Sequence, residues 1–168
     1  GRADLAGIQM IPSIRAAKVE DIPMIGRLLH KYASDGRLLG RSELEIKSRL
    51  KDFVVSEING RISGCGCLEI FTTELGEVRS LAVDPEDHDK GIGRLMVNQI
   101  ESVAQSRGLS RIIALTYVPG FFSKLGYRIV SMESLPEKVF GVCVTCPKFD
   151  RCDEIAMQKE LPPPKDRV

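Results

Sequence analysis

The feature that most constrains this chain is a glycine-containing loop between an apolar strand and an amphipathic helix. The segment Val83–Arg94 reads VDPEDHDKGIGR. Asp84-Pro85 ends the strand, and a helix predicted over Gly91–Arg107 opens with Gly91-Ile92-Gly93. Glycines let a ligand approach the backbone, and the first turn of a helix presents unpaired N–H groups. The segment therefore favours the binding of a pyrophosphate.

The same loop has a simpler interpretation, in which the glycines form an ordinary turn before a surface helix. Lys90 and Arg94 add positive charge to the loop. Four carboxylates oppose an anion there: Asp84, Glu86, Asp87 and Asp89. A single G-x-G motif leaves both interpretations open.

Hydrophobic periodicity and turn signals predict strands and helices along most of the chain. Strands are predicted over 13–17, 53–58, 61–71, 77–83, 111–117, 127–132 and 154–160. Helices are predicted from Asp21 to the breaker Asp35-Gly36, from Ser42 through Leu50, and over Gly91–Arg107 and Phe121–Leu125. An antiparallel half thus precedes a β-α-β half, which predicts an α+β fold. One domain is expected over residues 13–160, followed by a mobile Pro-rich tail over 161–168.

Composition excludes several classes of protein. The 168 residues, 43% of them hydrophobic, suit one soluble domain. A net charge of +1, 5% aromatic residues and no tryptophan argue against a nucleic-acid partner. No segment is long and apolar enough to span a bilayer, and the start of the chain lacks the apolar run of a secretory signal. Five cysteines, an odd number, favour a reducing compartment, so we expect a cytoplasmic protein without a membrane partner. The sequence leaves open whether the protein forms a homodimer.

Two motifs together resemble the GNAT acetyltransferase superfamily. The first, R/Q-x-x-G-x-G/A at the start of a helix, reads His88-Asp89-Lys90-Gly91-Ile92-Gly93. The second, Y-x-K-x-G-F, reads Phe122-Ser123-Lys124-Leu125-Gly126-Tyr127. The resemblance covers about residues 13–160. It implies the acyl-CoA N-acyltransferase fold, a mixed central sheet with splayed fourth and fifth strands flanked by helices.

This resemblance implies acetyl-CoA as the co-substrate. The pyrophosphate would lie on the backbone N–H groups of Lys90, Gly91, Ile92, Gly93 and Arg94, and the pantetheine arm against Leu81, Ala82 and Val83. Phe122 and Lys124 are carried over as cofactor-binding residues from the second motif. The chain departs from the family at two positions. His88 replaces the usual Arg or Gln, which weakens one loop contact but not the backbone cradle. Phe122 replaces a frequent tyrosine acid, so it cannot protonate the leaving thiolate.

Further matches resemble the acetyltransferase domain of N-acetylglutamate synthases. They are Leu39-Gly40-Arg41-Ser42, then Phe53, Val55 and Glu57, Gly64-Cys65 with Leu68, Gly76-Glu77, Leu81-Ala82-Val83, Leu115-Thr116-Tyr117, Phe121-Phe122, Gly126-Tyr127 and Leu135-Pro136. The resemblance implies a short stand-alone enzyme that acetylates the α-amine of a small amino acid. L-Glutamate, in arginine biosynthesis, is the best guess. Another amine, such as a peptide N-terminus or a polyamine, stays open, as does a non-catalytic acyl-CoA-binding module.

The residue types suggest how the acetyl group would pass directly between substrates. Glu77 matches the glutamate base of histone-type relatives and would take the amine proton through water. Tyr117, at the end of the fifth strand, is a candidate proton donor to the thiolate, and the backbone N–H near Leu81 a candidate oxyanion donor. The alternative for Glu77 is an ordinary strand-face carboxylate paired with Arg79. The alternative for Tyr117 is a partly buried tyrosine at the rim.

Candidate acceptor-site residues follow from the two carboxylates of glutamate. Arginine binds carboxylates through two parallel hydrogen bonds. Arg41 matches the L-x-R-S pattern, whereas Arg79 is a candidate because it shares a strand face with Glu77. The alternative for each arginine is that it is an ordinary solvated residue on the protein surface. Cys65 matches the G-C of the family and is a candidate for lining the acceptor pocket, or else a buried core thiol.

Three cysteines form a C-x2-C-x5-C pattern between the last two predicted strands. They are Cys143, Cys146 and Cys152. Three thiolates at this spacing suit a structural zinc ion, with the fourth ligand to come from His30, His88, Asp153 or outside the chain. The alternative is reduced thiols, or a disulfide formed on oxidation.

Overall fold

The computed structural model describes residues 11–34, 41–136 and 153–164. Its strands are β1 (Ser13–Ala16), β2 (Phe53–Ile58), β3 (Arg61–Ile70), β4 (Leu75–Val83), β5 (Arg111–Thr116), β6 (Arg128–Ile129) and β7 (Ile155–Glu160). Its α-helices are α1 (Ile22–Ser34), α2 (Glu43–Ser48), α3 (Ile92–Ser106) and α4 (Pro119–Lys124). Among these described helices, none has the length and apolar character needed to cross a bilayer.

The seven strands of the described chain belong to one sheet, in the order β1-β2-β3-β4-β5-β7-β6. The pairs β1–β2, β2–β3, β5–β7 and β6–β7 are antiparallel, and β4–β5 is parallel. The parallel pairing joins Leu75–Glu77 to Arg111–Ile113, and it ends there although both strands continue. The structure thus confirms the predicted α+β class and the mixed sheet with separating fourth and fifth strands.

The described residues form two compact units. The first comprises the described parts of Gly1–Leu68 and Arg79–Ile100, and the second those of Glu69–Val78 and Glu101–Val168. Apolar faces of α1, α2 and the strands build the core of the first unit, which consists of Ile22, Ile25, Leu28, Leu29, Tyr32, Ile46, Phe53, Val55, Ile62, Cys65, Cys67 and Ala82. A smaller cluster in the second unit consists of Leu75, Ile113, Leu135 and Ala156.

Local sequence signals account for several element boundaries. Ser42 caps α2: its hydroxyl accepts from the Glu45 N–H, and the Glu45 carboxylate accepts from the Ser42 N–H. Asn59 and Gly60 join β2 to β3 with φ of 54° and 76°, as a type I′ turn requires. Gly108 follows α3 with φ of 82°, the left-handed conformation expected of a C-terminal cap.

The second unit departs from the predicted boundaries at two places. The strand predicted over 127–132 is reduced to β6, which pairs only with Gln158 and Met157 of β7, and a short 3-10 turn follows at Met132–Ser134. At the other end, Leu161 is buried and its N–H donates to the Ser110 carbonyl at 2.8 Å. Packing therefore continues one residue beyond the predicted domain end.

Glycines at alternate positions of β3 allow α3 to pack closely in the first unit. A Cβ on Gly64 would lie 3.1 Å from the Ala82 carbonyl oxygen and 3.3 Å from the Ile92 side chain. A Cβ on Gly66 would lie 2.9 Å from the end of the Ile100 side chain. The small residues of this strand thus make room for an internal contact of the protein.

A Gly64→Ala substitution is expected to destabilise the protein, because the added methyl group meets backbone that cannot rotate away. We expect the free energy of unfolding to fall by about 1–3 kcal/mol in urea titrations. Gly120→Ala is the matched control, since its Cβ would meet nothing within 4 Å. Equal unfolding free energies for the two variants would contradict the packing described.

A buried carboxylate fixes the loop between β4 and α3. The side chain of Asp87 is 1% exposed, and it accepts two hydrogen bonds from the Arg61 guanidinium, at 2.8 and 3.0 Å. Lys90 donates a third at 2.8 Å. These bonds, those from Arg61 above all, lower the pKa of Asp87 from its ordinary 3.8 to about 2. The loop is thereby tied to the start of β3.

The Asp87 interactions predict a specific acid sensitivity. Because its folded pKa is below its unfolded pKa, the unfolded chain binds more protons between the two values. The stabilisation is complete above about pH 4 and is lost as the pH falls towards about 2, amounting to about 2 kcal/mol at most. Asp87→Asn should flatten this part of the stability profile, measured by urea unfolding at several pH values. The exposed Asp89, changed to Asn, is the control and should keep the wild-type profile.

Candidate active site

The loop before α3 presents free backbone donors, as the sequence predicted. Gly91 has φ of 74°, and the first helical hydrogen bond runs from the Leu95 N–H to its carbonyl. The N–H groups of Ile92, Gly93 and Arg94 precede that bond, so the ladder of the helix does not use them. The buried Ile92 side chain anchors this turn, while Gly91 is exposed. The arrangement fits a diphosphate.

The two basic side chains of the loop have different environments. Lys90, predicted to add positive charge, is bound to Asp87, which also holds Arg61. Its charge is therefore largely neutralised within the loop. Arg94 is exposed, so it is the cation of this helix turn that faces solvent. We therefore expect an anion here to be bound by backbone N–H groups and Arg94 more than by Lys90.

His88, which replaces the usual Arg or Gln, binds within the protein. Its Nε2 lies 3.0 Å from the Tyr32 hydroxyl and 3.1 Å from the Val83 carbonyl oxygen. The Tyr32 hydroxyl itself donates to the Val83 carbonyl. Because a carbonyl only accepts, His88 bonds to Val83 only in a form that carries a proton on Nε2. Tyr32 and His88 together hold the end of β4, and no sequence pattern pointed to this contact of Tyr32.

The strand that would receive the pantetheine arm contains an unusual backbone conformation. Ala82 is buried, and Leu81 and Val83 are half-buried. Just before them, Ser80 has φ of 54°, a left-handed conformation that residues other than glycine rarely adopt. Such positions often mark functional sites, and no local sequence pattern pointed to this one.

Arg41 and Cys65, two of the predicted acceptor-site residues, interact in the first unit. The Arg41 guanidinium lies over the Phe53 ring, 5.6 Å from its centroid, and is half-buried. The Cys65 thiol is fully buried, which raises its pKa to about 12 although the Arg41 charge acts in the opposite direction. Arg79, the third predicted residue, is half-buried on β4.

The predicted residues of the second unit lie on three elements. Glu77 is buried on β4 and pairs with Ile113 of β5. Tyr117 follows β5 and is 37% exposed, as a rim position would be. Lys124, the last residue of α4, is exposed. Their roles stay predictions.

Phe122 lies in an aromatic cluster. Its ring is buried and makes edge-to-face contacts with Phe121 and Tyr127, with centroids 5.0 and 5.1 Å away. The Tyr127 hydroxyl donates to Glu101 at 2.7 Å, and burial raises the Tyr127 pKa above its usual value. The side chain of Phe122 thus stabilises α4, and a contact with the cofactor stays a prediction.

The cysteine insert lies outside the described residues. Cys143, Cys146 and Cys152 all fall in the stretch between 136 and 153. Within the described part of the chain, no group of three His, Cys, Asp or Glu side chains is placed to hold a metal ion. The zinc ion stays a prediction that elemental analysis can decide.

Comparison with known proteins gives a consistent result. A sequence model of the acetyltransferase (GNAT) family matches residues 23–127. An uncharacterized N-acetyltransferase of Chlorobaculum tepidum is 40% identical over 88% of this chain and 96% of its own length. An amino-acid acetyltransferase of Mycobacterium tuberculosis is 32% identical over 77% of this chain and 75% of its own.

One solved structure extends the likeness to three dimensions. The N-acetylglutamate synthase of Neisseria gonorrhoeae, complexed with coenzyme A and N-acetyl-glutamate, superposes on 90% of this chain with a TM-score of 0.83 and 28% identity. The matched part is 35% of that longer enzyme. From the family match, the sequence relatives and the shared fold, we conclude that the chain belongs to the GNAT family of acetyltransferases.

Proposed function

We propose that this acetyltransferase moves the acetyl group of acetyl-CoA to the α-amine of L-glutamate, as in the first step of arginine biosynthesis in the cytoplasm. The observation that carries the proposal is the position of Arg41. This residue matches the L-x-R-S pattern of N-acetylglutamate synthases. Its guanidinium lies over the Phe53 ring, in the same unit as the loop before α3. A guanidinium fixed in this way suits bidentate binding of a substrate carboxylate.

Binding of acetyl-CoA is supported by the turn at the start of α3. The N–H groups of Ile92, Gly93 and Arg94 would hold its diphosphate, and the exposed Arg94 would add a charge-assisted contact. Acetyl-CoA supplies an activated acetyl thioester. Coenzyme A is present in the structurally similar N-acetylglutamate synthase, which supports the same co-substrate here.

The chain has a candidate group for each proton transfer, and for the developing negative charge, in a direct transfer of the acetyl group. Glu77 is proposed to take a proton from the substrate ammonium through water, so that the amine can attack the thioester. The Leu81 N–H is proposed to stabilise negative charge on the thioester oxygen. Tyr117 is the candidate donor to the departing thiolate.

The test of function is release of CoA thiol from acetyl-CoA in the presence of single amines. We expect L-glutamate to give the largest kcat/KM among the amino acids. Faster turnover of a polyamine or a peptide N-terminus would move the protein to another GNAT activity. Acetyl-CoA binding without turnover of any amine would identify a non-catalytic acyl-CoA-binding module.

Substitution of Arg41 tests the acceptor site directly. Arg41→Ala removes a charged hydrogen-bonding group, which is worth about 2–3 kcal/mol, so the KM for glutamate should rise about 30- to 150-fold. The KM for acetyl-CoA should change little. Arg27→Ala on α1 removes an exposed arginine and is the matched control. An unchanged glutamate KM in the Arg41 variant would remove this residue from the site.

A further inference from the structure

The left-handed Ser80 marks a β-bulge in β4. The β3–β4 hairpin is closed by hydrogen bonds from the Phe71 N–H to Leu75 and from the Asp84 N–H to Ser63. Between these two bonds, β3 advances eight residues, from Ser63 to Phe71, and β4 advances nine, from Leu75 to Asp84. β4 therefore has one extra residue, and the φ of 54° places the irregularity at Ser80. This conformation is unfavourable by about 1–2 kcal/mol for an L-residue, so surrounding contacts must maintain it.

The Cys65 thiol provides such a contact. Its Sγ donates to the Ser80 carbonyl oxygen at 3.4 Å, and the Ala82 N–H faces the same sulfur. Cys65 is fully buried in the first-unit core with Phe53 and α1. Because burial raises its pKa to about 12, the sulfur keeps its proton at neutral pH and remains a donor.

The geometry of one peptide bond links this contact to the proposed reaction. The Ser80 carbonyl and the Leu81 N–H belong to the same planar trans peptide, so they point in opposite directions. With the Ser80 oxygen bound to Cys65, the Leu81 N–H points away from that thiol. A thiol in the core thus contacts the carbonyl end of the peptide whose N–H end is the proposed oxyanion donor.

We propose that Cys65 is a positioning residue, whose thiol holds the Ser80 carbonyl and thereby aims the Leu81 N–H at the thioester oxygen. The inference rests on the proposed acetyl transfer, in which that N–H stabilises developing negative charge. In this proposal the fully buried Cys65 acts through the Ser80 peptide, whereas its motif predicted that it lines the acceptor pocket. A misdirected donor impairs the chemical step more than the binding of acetyl-CoA.

The experiment compares three variants by kcat, by the KM for acetyl-CoA and by thermal stability. Cys65→Ala removes the donor, and Cys65→Ser restores one. Cys67→Ala is the matched control: Cys67 is as buried as Cys65 in the same core cluster, and its thiol donates to the Leu68 carbonyl oxygen at 3.8 Å.

We expect Cys65→Ala to lower kcat about 10-fold, less than the loss from deleting an oxyanion donor outright. The KM for acetyl-CoA should stay within about twofold, and Cys65→Ser should recover most of the rate. Cys67→Ala should lose similar stability and keep its kcat. Equal kcat losses for the two alanine variants, or no recovery with serine, would overturn the inference.

A second measurement separates this inference from the proposed function. In protein labelled with 15N-leucine, the Leu81 amide signal should differ between the CoA and acetyl-CoA complexes, because only the latter has a thioester oxygen. The difference should shrink in Cys65→Ala and return in Cys65→Ser. If the wild type binds acetyl-CoA but acetylates no amine, the proposed function fails while this comparison still decides the role of Cys65. Identical wild-type spectra in the CoA and acetyl-CoA complexes, or no binding of either ligand, would refute the proposed role of Cys65.

Discussion

The loop that opens α3 depends on one buried carboxylate. Asp87 is almost inaccessible to water, yet it remains ionised because Arg61 and Lys90 both bind it. Losing both cations would leave the buried charge uncompensated, which costs far more than a surface ion pair contributes. With Asp87 in place, the turn at Gly91 and the first amides of α3 are held in one arrangement. A binding site made of backbone donors needs this rigidity, because amide groups cannot change rotamer to follow a ligand.

The end of β4 is held by side chains from several parts of the first unit. Tyr32 and His88 bind the carbonyl of Val83, and Cys65 binds the carbonyl of Ser80. The same short stretch is proposed to receive the pantetheine arm and the thioester. These contacts fix the carbonyl groups of the stretch, and catalysis gains from donors whose peptide groups need no reorganisation during the reaction.

The features that were predictable from sequence are those specified by neighbouring residues. The capping box at Ser42, the turn at Asn59-Gly60 and the start of α3 each follow from two or three adjacent side chains, and each is present. Features that depend on distant partners were not predictable. Nothing near Lys90 indicated that the Asp87 carboxylate would bind both Lys90 and Arg61, twenty-nine positions earlier in the chain. Phe122 kept its motif position but turned its ring into the core, and the strand predicted over 127–132 was shortened to β6.

The pairing of Lys90 with Asp87 bears on how salt would affect the binding of a phosphate at this loop. Contacts between mobile surface cations and phosphates weaken steeply as salt screens them. Fixed amide dipoles at a helix start are partial charges at short range, and screening affects them less. The exposed carboxylates of Glu86 and Asp89 add negative charge beside the loop. A diphosphate presented on a slender carrier would still reach the amides, so the loop can select its ligand by shape under physiological salt.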